Sequence, residues 1–252
     1  MPQTVTKFFP RRLHTAFSRG SWAGSSGARA LAAVISGNPA YVSYFDDFLG
    51  TGAGTWPASQ NWSYPATVGT GTESISVSTA ALGGALKVTS GATTDNSAVQ
   101  HVGLHWRGTE GVYGIWKVTM ASVASVKLEL GFSDSITNDC CIATKATPTF
   151  TATDCASFVF DTADDTNLTF ITGNAGATGA NADATFTMDT NPHVYEILVL
   201  GGQATGWVDG IFVGAGAITS TAPLSPYAAT VTRTGSAKTN NFDYMGAFGP
   251  RG

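Results

Sequence analysis

The chain has 252 residues, of which 30 are glycine and only 12% are charged. This length suits one large domain or two small ones, and this composition favours strands and tight turns over helices. No apolar run reaches the roughly 18 residues that would cross a bilayer, so we expect no membrane association.

Charge divides the chain into two parts. Residues 1–45 carry five cationic side chains and no Asp or Glu, whereas the remaining 207 residues carry 8 Lys and Arg against 17 Asp and Glu. The net charges of the two parts, +5 and −9, sum to the −4 of the whole chain. Such asymmetry usually marks a tail with a different task from the body. We therefore predict a basic N-terminal arm, residues 1–44, and a body, residues 45–252.

The arm combines its cations with apolar anchors, which suits docking onto an acidic, partly apolar protein surface of a neighbouring copy or another protein. The predicted docking residues are Lys7, Phe8, Phe9, Arg11, Arg12, Phe17, Arg19, Trp22 and Arg29. A transit peptide, a signal peptide and a solubilising tail are alternative interpretations. Nucleic-acid binding is a further alternative, but five cations over 45 residues are dilute for it.

Short alternating runs between clusters of Gly, Asn, Asp and Thr predict strands throughout the body. Residues 85–89 and 114–120 are two such runs. In residues 126–132 the even-numbered side chains are apolar, whereas Lys127 and Glu129 occupy the opposite face. This alternation predicts a half-buried strand whose outer face carries a surface ion pair.

The clearest local pattern lies in residues 193–214. It predicts strands over 194–200, 204–208 and 211–213, joined by a Gly201-Gly202 turn and by Asp209-Gly210, which suits a type I′ hairpin. Residues 241–248 predict a last strand. Strands and turns at this spacing predict a two-sheet sandwich. Its expected core contributors are Phe132, Phe158, Phe160, Phe170, Trp207 and Phe212.

Cys140, Cys141 and Cys155 are the three cysteines, an odd number that leaves at least one thiol unpaired. A secreted disulfide scaffold would have an even and denser set. We therefore expect free thiols in a reducing cytoplasm, with a bridge from Cys155 to Cys141 or Cys140 as the alternative.

Catalytic acids are the next chemistry to test, because glycoside hydrolysis needs two carboxyl groups roughly 5–10 Å apart. The body has four glutamates, Glu73, Glu110, Glu129 and Glu196. None has another acid two or four places away on the same predicted strand. No Walker A, Rossmann or G-x-S-x-G pattern occurs either. The sequence therefore predicts no catalytic residue.

Metal sites are also not predicted. His101 and His105 lie four residues apart in a predicted strand, about 13 Å, which is too far for both to bind one metal directly. His193 is expected to hydrogen-bond at a strand end. The acidic run over residues 161–167 matches no defined calcium loop and is expected to form an ordinary turn. We expect no metal and no cofactor.

Several short motifs occur together in the body. They are Tyr44-Phe45-Asp46-Asp47-Phe48, Trp56, Trp62, Gly83-Gly84-Ala85-Leu86-Lys87-Val88, Gly111-Val112-Tyr113-Gly114-Ile115-Trp116-Lys117, His193-Val194-Tyr195-Glu196-Ile197, Trp207-Val208-Asp209-Gly210 and Asn241-Phe242-Asp243-Tyr244-Met245. This ordered set resembles the concanavalin A-like, laminin G-like jelly roll, especially the versions in structural proteins of tailed bacteriophages. The resemblance covers roughly residues 44–250.

The resemblance implies an all-β jelly-roll sandwich of two antiparallel sheets, with the arm extended from it. Hydrolases of this family place an E-x-D-x-(x)-E motif on a central strand, and because this sequence lacks it we expect no enzyme activity. By resemblance, the chain is expected to be a virion structural protein, such as a capsid decoration protein. Its arm would bind the major capsid protein or another virion protein in many symmetric copies.

The alternative function is a lectin-like receptor-recognition component of a phage tail or fibre. Such a protein would stack exposed aromatic side chains on the sugar rings of surface glycans. The candidates are Trp56, Trp62 and Trp106.

Overall fold

The computed structural model describes residues 41–46, 54–55, 73–78, 85–95, 97–101, 106–218, 221 and 223–250. The predicted docking residues of the arm lie outside these ranges, as do Trp56 and Trp62. Every regular element in the described part of the chain is a strand. No helix within these ranges is long and apolar enough to cross a membrane.

Eighteen strands are described. In chain order they are β1 (Tyr41–Asp46), β2 (Gly54–Thr55), β3 (Ser74–Ser78), β4 (Ala85–Thr89), β5 (Ser97–His101), β6 (Trp106–Arg107), β7 (Val112–Met120), β8 (Val126–Ser133), β9 (Ile142–Thr144), β10 (Thr149–Phe150), β11 (Cys155–Asp161), β12 (Asn167–Asn174), β13 (Ala177–Thr187), β14 (His193–Leu200), β15 (Gln203–Val208), β16 (Ile211–Ala217), β17 (Pro223–Thr232) and β18 (Thr239–Pro250).

The strands form two large antiparallel sheets. The nine-stranded sheet has the order β16-β15-β14-β7-β18-β4-β3-β2. The first part of β18 pairs with β4, and its last part pairs with β1. The seven-stranded sheet has the order β13-β12-β11-β8-β17-β5, and β6 pairs with the start of β17. A small β9–β10 hairpin stands apart from both. The predicted all-β sandwich of two antiparallel sheets is confirmed.

The main core lies between the sheets, where alternate side chains of facing strands meet. Trp116 and Val118 come from β7, and Leu128, Leu130 and Phe132 come from β8. The rings of Trp116 and Phe132 pack edge to face with centroids 5.7 Å apart. Such pairs prefer this geometry because the positive ring edge meets the negative ring face. The apolar face predicted for residues 126–132 is therefore the core face.

Glycines let the two sheets approach closely along the edge where β16 packs on β12 and β13. A Cβ at Gly206 would lie 2.6 Å from a ring carbon of Phe170, and one at Gly214 would lie 2.8 Å from the Cβ of Ala182. Real Cβ atoms do not tolerate such distances, so the Phe170 ring occupies the space that side chains at these positions would need. This close contact fixes the β15–β16 hairpin against the sandwich.

The predicted half-buried strand over residues 126–132 is a strand, but both of its faces are buried. The connection between β8 and β11, residues 134–154, folds back over the outer face of the seven-stranded sheet. We call this segment the cap. Its Cys140, Cys141 and Ile142 form a second apolar cluster with sheet residues that include Val159 and Ala229. The prediction of a surface ion pair at Lys127 and Glu129 is therefore wrong.

Candidate functional site

A row of side chains crosses the outer face of the nine-stranded sheet. Trp207 lies opposite Glu196 on one side and opposite Phe212 on the other. Directly opposed residues of antiparallel strands share a face, so these three side chains lie in line. Phe212 is 59% exposed, and the adjacent Ile211 is exposed to the same extent. We call Trp207 and Phe212 the aromatic platform.

A tight hairpin presents this platform. Asp209 and Gly210 have φ angles of 52° and 79°, as the type I′ turn predicted from sequence requires. Alternate residues of a strand share a face, so Gln203 and Thr205 of β15 lie on the same face as Trp207. Gln203 is exposed and Thr205 is half-buried. The apolar platform is thus bordered by side chains that donate and accept hydrogen bonds.

His193 is the first residue of β14, and its side chain connects this strand to the turn of the hairpin. Its Nδ1 lies 2.7 Å from Asp209 Oδ2, and its Nε2 lies 3.1 Å from Asp189 Oδ1. Asp209 also accepts the backbone N–H of Val194 at 3.0 Å. The Phe186 ring lies beside the imidazole, with centroids 5.2 Å apart. The prediction that His193 hydrogen-bonds at a strand end is confirmed.

The two carboxylates control the protonation of His193. Burial lowers the pKa of the imidazole, but the hydrogen bonds to Asp209 and Asp189 outweigh this effect, and the pKa is raised above its ordinary value. Only the imidazolium has an N–H for each carboxylate, because the neutral ring has one donor. Protonation therefore strengthens the attachment of the hairpin.

We expect His193 to make stability depend on pH in a defined direction. Because its pKa is raised in the folded state, its stabilisation is fully present below the unfolded pKa of about 6.5 and is lost as pH rises through the folded pKa. Solvent screening of this partly exposed group limits the effect to less than about 1 kcal/mol. Urea unfolding between pH 6 and 9 measures it, and His193→Gln should flatten the profile. An unchanged slope in the variant would contradict the assignment.

A second group of polar side chains lies beneath the cap. The Glu129 carboxylate accepts backbone N–H groups of the cap from Cys141 at 2.7 Å, Ile142 at 3.0 Å and Cys140 at 3.2 Å. Lys127 Nζ lies 2.8 Å from Asp139 Oδ1 and 3.5 Å from Glu129 Oε2, and it also donates to the carbonyl of Ile142. The Lys127 and Glu129 side chains have no exposed area. These contacts hold the cap on the sheet.

Burial sets the protonation of this group. It raises the pKa of Glu129, a shift that the neighbouring ammonium and the cap N–H donors oppose without reversing. Burial acts in the opposite direction on Lys127, but Glu129 and Asp139 keep the pKa of its ammonium above the ordinary value. Both shifts favour the protonated forms, because burial disfavours the Glu129 carboxylate and the two nearby carboxylates favour the Lys127 ammonium.

Tyr227 and Ser157 bridge the strand that carries Glu129. Ser157 of β11 and Tyr227 of β17 both lie opposite Gly131 of β8. Their hydroxyl oxygens are 2.7 Å apart. The missing side chain at Gly131 lets this hydrogen bond pass over β8. Burial raises the pKa of Tyr227, so this hydroxyl stays neutral.

The cysteines differ from the expected free thiols. Cys141 of the cap and Cys155 of β11 form a disulfide, and Cys140 is a buried free thiol. Burial raises the pKa of the Cys140 thiol, which therefore stays protonated and poorly nucleophilic. The bridge lies where the cap returns to the sheet, a proximity that sequence spacing did not reveal. The prediction of three free thiols is wrong, and the alternative prediction of a bridge between Cys155 and Cys141 is confirmed.

The acidic run over residues 161–167 has structural partners. Asp161 accepts two hydrogen bonds from the Arg233 guanidinium, at 2.9 and 2.5 Å. Asp165 forms an ion pair with Lys145, which places the cap beside this turn. The run lies in a turn, as expected. Within the described residues, no group of three or more His, Cys, Asp or Glu side chains is arranged to hold a metal ion.

The sequence-predicted aromatics do not form the observed platform. Trp106 is 1% exposed and belongs to the main core, so the prediction that it contacts glycans is wrong. Phe212, predicted to be a core residue, is exposed instead. A bulge between Gly206 and Trp207 shifts the pairing register and turns Phe212 outward. The Gly-rich strand was the available signal of such an irregularity.

No protein-family model matches the chain, and no curated protein matches its sequence. Solved structures nevertheless share the fold. A family GH16 endo-β-1,3(4)-glucanase aligns with a TM-score of 0.57 at 12% identity, over 84% of this chain and 92% of its own. A Bacillus licheniformis β-glucanase gives 0.54 at 13% identity, over 83% and 98%. The carbohydrate recognition domain of Emp47p gives 0.54 at 11% identity, over 82% and 95%.

These likenesses establish the fold as a concanavalin A-like jelly-roll sandwich. They contradict the prediction that the chain is not an enzyme, because glucanases are prominent among the structures that share its fold. That prediction depended on one missing motif on one strand. A missing motif tests only one arrangement of carboxyl groups, since a fold can host different sites.

Proposed function

We propose that this protein recognises carbohydrate through its aromatic platform. The observation that supports the proposal is the exposed Phe212, which lies directly opposite Trp207 on a rigid hairpin. Folding normally buries large apolar side chains, and a cluster of them left in solvent at a fixed position marks an interaction site.

The chemistry of the platform suits a sugar. One face of a pyranose ring presents mainly C–H groups, which pack on an aromatic ring, while the hydroxyl groups at its edge need hydrogen-bond partners. Gln203 and Thr205 supply such partners on the same face. Binding sites that combine an apolar surface with a few placed polar groups follow this general pattern.

Replacing Phe212 with serine is expected to weaken glycan binding at least about tenfold, the equivalent of about 1.4 kcal/mol. The probes are β-1,3-1,4-glucan oligosaccharides and a printed glycan array, with affinities from titration calorimetry. Phe212→Tyr keeps a ring at the same position and should retain binding. If Phe212→Ser bound as tightly as the unaltered protein, the platform would not be the site.

Release of reducing ends from the same glucan is measured in parallel. Cleavage would make the protein a glycan-active enzyme, and binding without cleavage would make it a lectin. Absence of both binding and cleavage across the array would overturn the carbohydrate proposal.

A second candidate function is a structural role, in which the jelly roll is displayed on a larger particle. The charge difference between the +5 arm and the −9 body favours a structural component of a bacteriophage virion, such as a capsid decoration protein. In this proposal the arm docks onto the major capsid protein or another virion protein, and the acidic body faces outward. Many symmetric copies would make modest individual contacts sufficient.

Deletion of residues 2–40 tests this second candidate, because β1 begins at Tyr41 and every described strand is kept. The shortened chain should fold, with an unchanged far-ultraviolet circular dichroism spectrum, but should no longer sediment with particles of the source virus. Replacing Arg11, Arg12 and Arg19 with glutamine separates the effect of charge from that of length. Undiminished sedimentation of the deletion variant would contradict docking through the arm.

A further inference from the structure

Lys127, Glu129 and Asp139 form a cluster that carbohydrate recognition does not use. Lys127 and Glu129 lie two residues apart on the same face of β8, and Asp139 reaches them from the cap. Lys127 Nζ is 2.8 Å from Asp139 Oδ1, which places the carboxyl carbon within roughly 4 Å of the amine, close to a reactive approach. An amine and a carboxyl group are thus held together, with a second carboxyl group beside them.

Apolar residues cover much of this cluster, and the Lys127 and Glu129 side chains have no exposed area. Cys140, Cys141 and Ile142 of the cap cover it, and Val159 and Ala229 border Glu129 on the neighbouring strands. The Asp139 side chain is partly exposed at 23%, so a small molecule can leave along that side. Removing water from such a site favours condensation over hydrolysis.

Charge in the cluster is unbalanced. One ammonium faces two carboxylates, which gives a net charge of −1 if all three groups are ionised. Burial of an uncompensated charge costs several kcal/mol. One extra proton on Glu129, whose pKa burial raises, makes the cluster neutral. The neutral set of one ammonium, one carboxylate and one carboxylic acid has the composition needed to form an amide.

We propose that Lys127 and Asp139 become joined by an intramolecular isopeptide bond, with Glu129 as the proton relay. The Lys127 ammonium passes a proton to the adjacent Asp139 carboxylate, and the free amine attacks Cγ of the resulting carboxylic acid. The new bond is Nζ–Cγ, and the bond that breaks is Cγ–OH. The hydroxyl group leaves as water with the second amine proton, relayed through Glu129, which ends as the neutral acid. No oxidant, reductant or cofactor is required.

The product suits the site better than the reactants. A buried ammonium and a buried carboxylate are replaced by a neutral amide and a neutral carboxylic acid, which removes the cost of keeping ions out of water. The bond also ties the cap to β8 at Asp139, two residues before Cys141, which the disulfide ties to Cys155 of β11.

Mass spectrometry of the purified, denatured and reduced full-length protein tests the proposal. The expected mass is lower than the sequence mass by one water molecule. Trypsin should fail to cleave after Lys127, and fragmentation should locate the link between Lys127 and Asp139. A full sequence mass with normal cleavage after Lys127 would overturn the proposal.

Three variants distinguish this bond from other dehydration events. Lys127→Arg lacks the attacking amine and should retain the full sequence mass. Asp139→Asn should instead lose one ammonia, because its amide nitrogen becomes the leaving group. Glu129→Gln should abolish the loss of water, because it removes the proton relay. Near-ultraviolet circular dichroism confirms folding in each case, and loss of water in the folded Lys127→Arg variant would place the modification elsewhere and refute the assignment.

Discussion

Replacing Glu129 with alanine is expected to lower the free energy of unfolding by about 3–5 kcal/mol, because three buried N–H groups of the cap lose the carboxylate that accepts them. The Lys127 ammonium would lose its neighbour at 3.5 Å, and three cap N–H groups would lose their acceptor. Each orphaned donor adds a desolvation cost. Urea unfolding monitored by tryptophan fluorescence measures the change. Faster proteolysis within residues 134–154 should accompany it, because the cap loses three hydrogen bonds to the sheet.

Glu110→Ala is the matched control. Glu110 also pairs with a cation, Arg107, but at 3.6 Å on the surface, where both side chains are partly exposed. Surface pairs of this kind contribute about 0–1 kcal/mol. Equal losses for the two variants would mean that burial of Glu129 does not determine its contribution.

Replacing Gly131 with alanine is expected to destabilise the protein by about 2–5 kcal/mol, from backbone strain combined with overpacking. The φ angle of Gly131 is +153°, a region that L-residues rarely adopt. An added Cβ would lie 2.7 Å from Ser157 Cα and would also contact the carbonyl oxygen of Ala156. Both obstacles are backbone atoms of β11, so side-chain rotation cannot relieve the clash. Chemical denaturation at neutral pH gives the measurement.

Gly176→Ala separates strain from steric overlap. Gly176 also has a positive φ, +76°, but a Cβ there would meet nothing within 4 Å. The left-handed conformation alone costs an alanine about 1–2 kcal/mol. A loss at Gly131 no larger than the loss at Gly176 would show that the contact with β11 is relaxed at little cost.

Local pattern was sufficient to predict seven of the strands. The alternation over residues 126–132 and the turn residues of 193–214 reappear in β8 and in the β14–β15–β16 meander. Asp209 and Gly210 have the positive φ angles that their position predicts. Strand periodicity and turn chemistry depend on neighbouring residues of the chain, and for that reason the sequence by itself determined the all-β class and the antiparallel hairpins.

Tertiary structure alone decided what covers each face. The Lys127–Glu129 pattern is that of a solvent-facing pair, and the cap makes it a buried one by supplying three N–H donors from residues 140–142. The proximity of Cys155 to Cys141, the burial of Trp106 and the exposure of Phe212 are likewise set by segments distant in sequence or by a shift in strand register. Alternation identifies two faces of a strand, but it contains no information on whether water or another segment of the chain lies against each face.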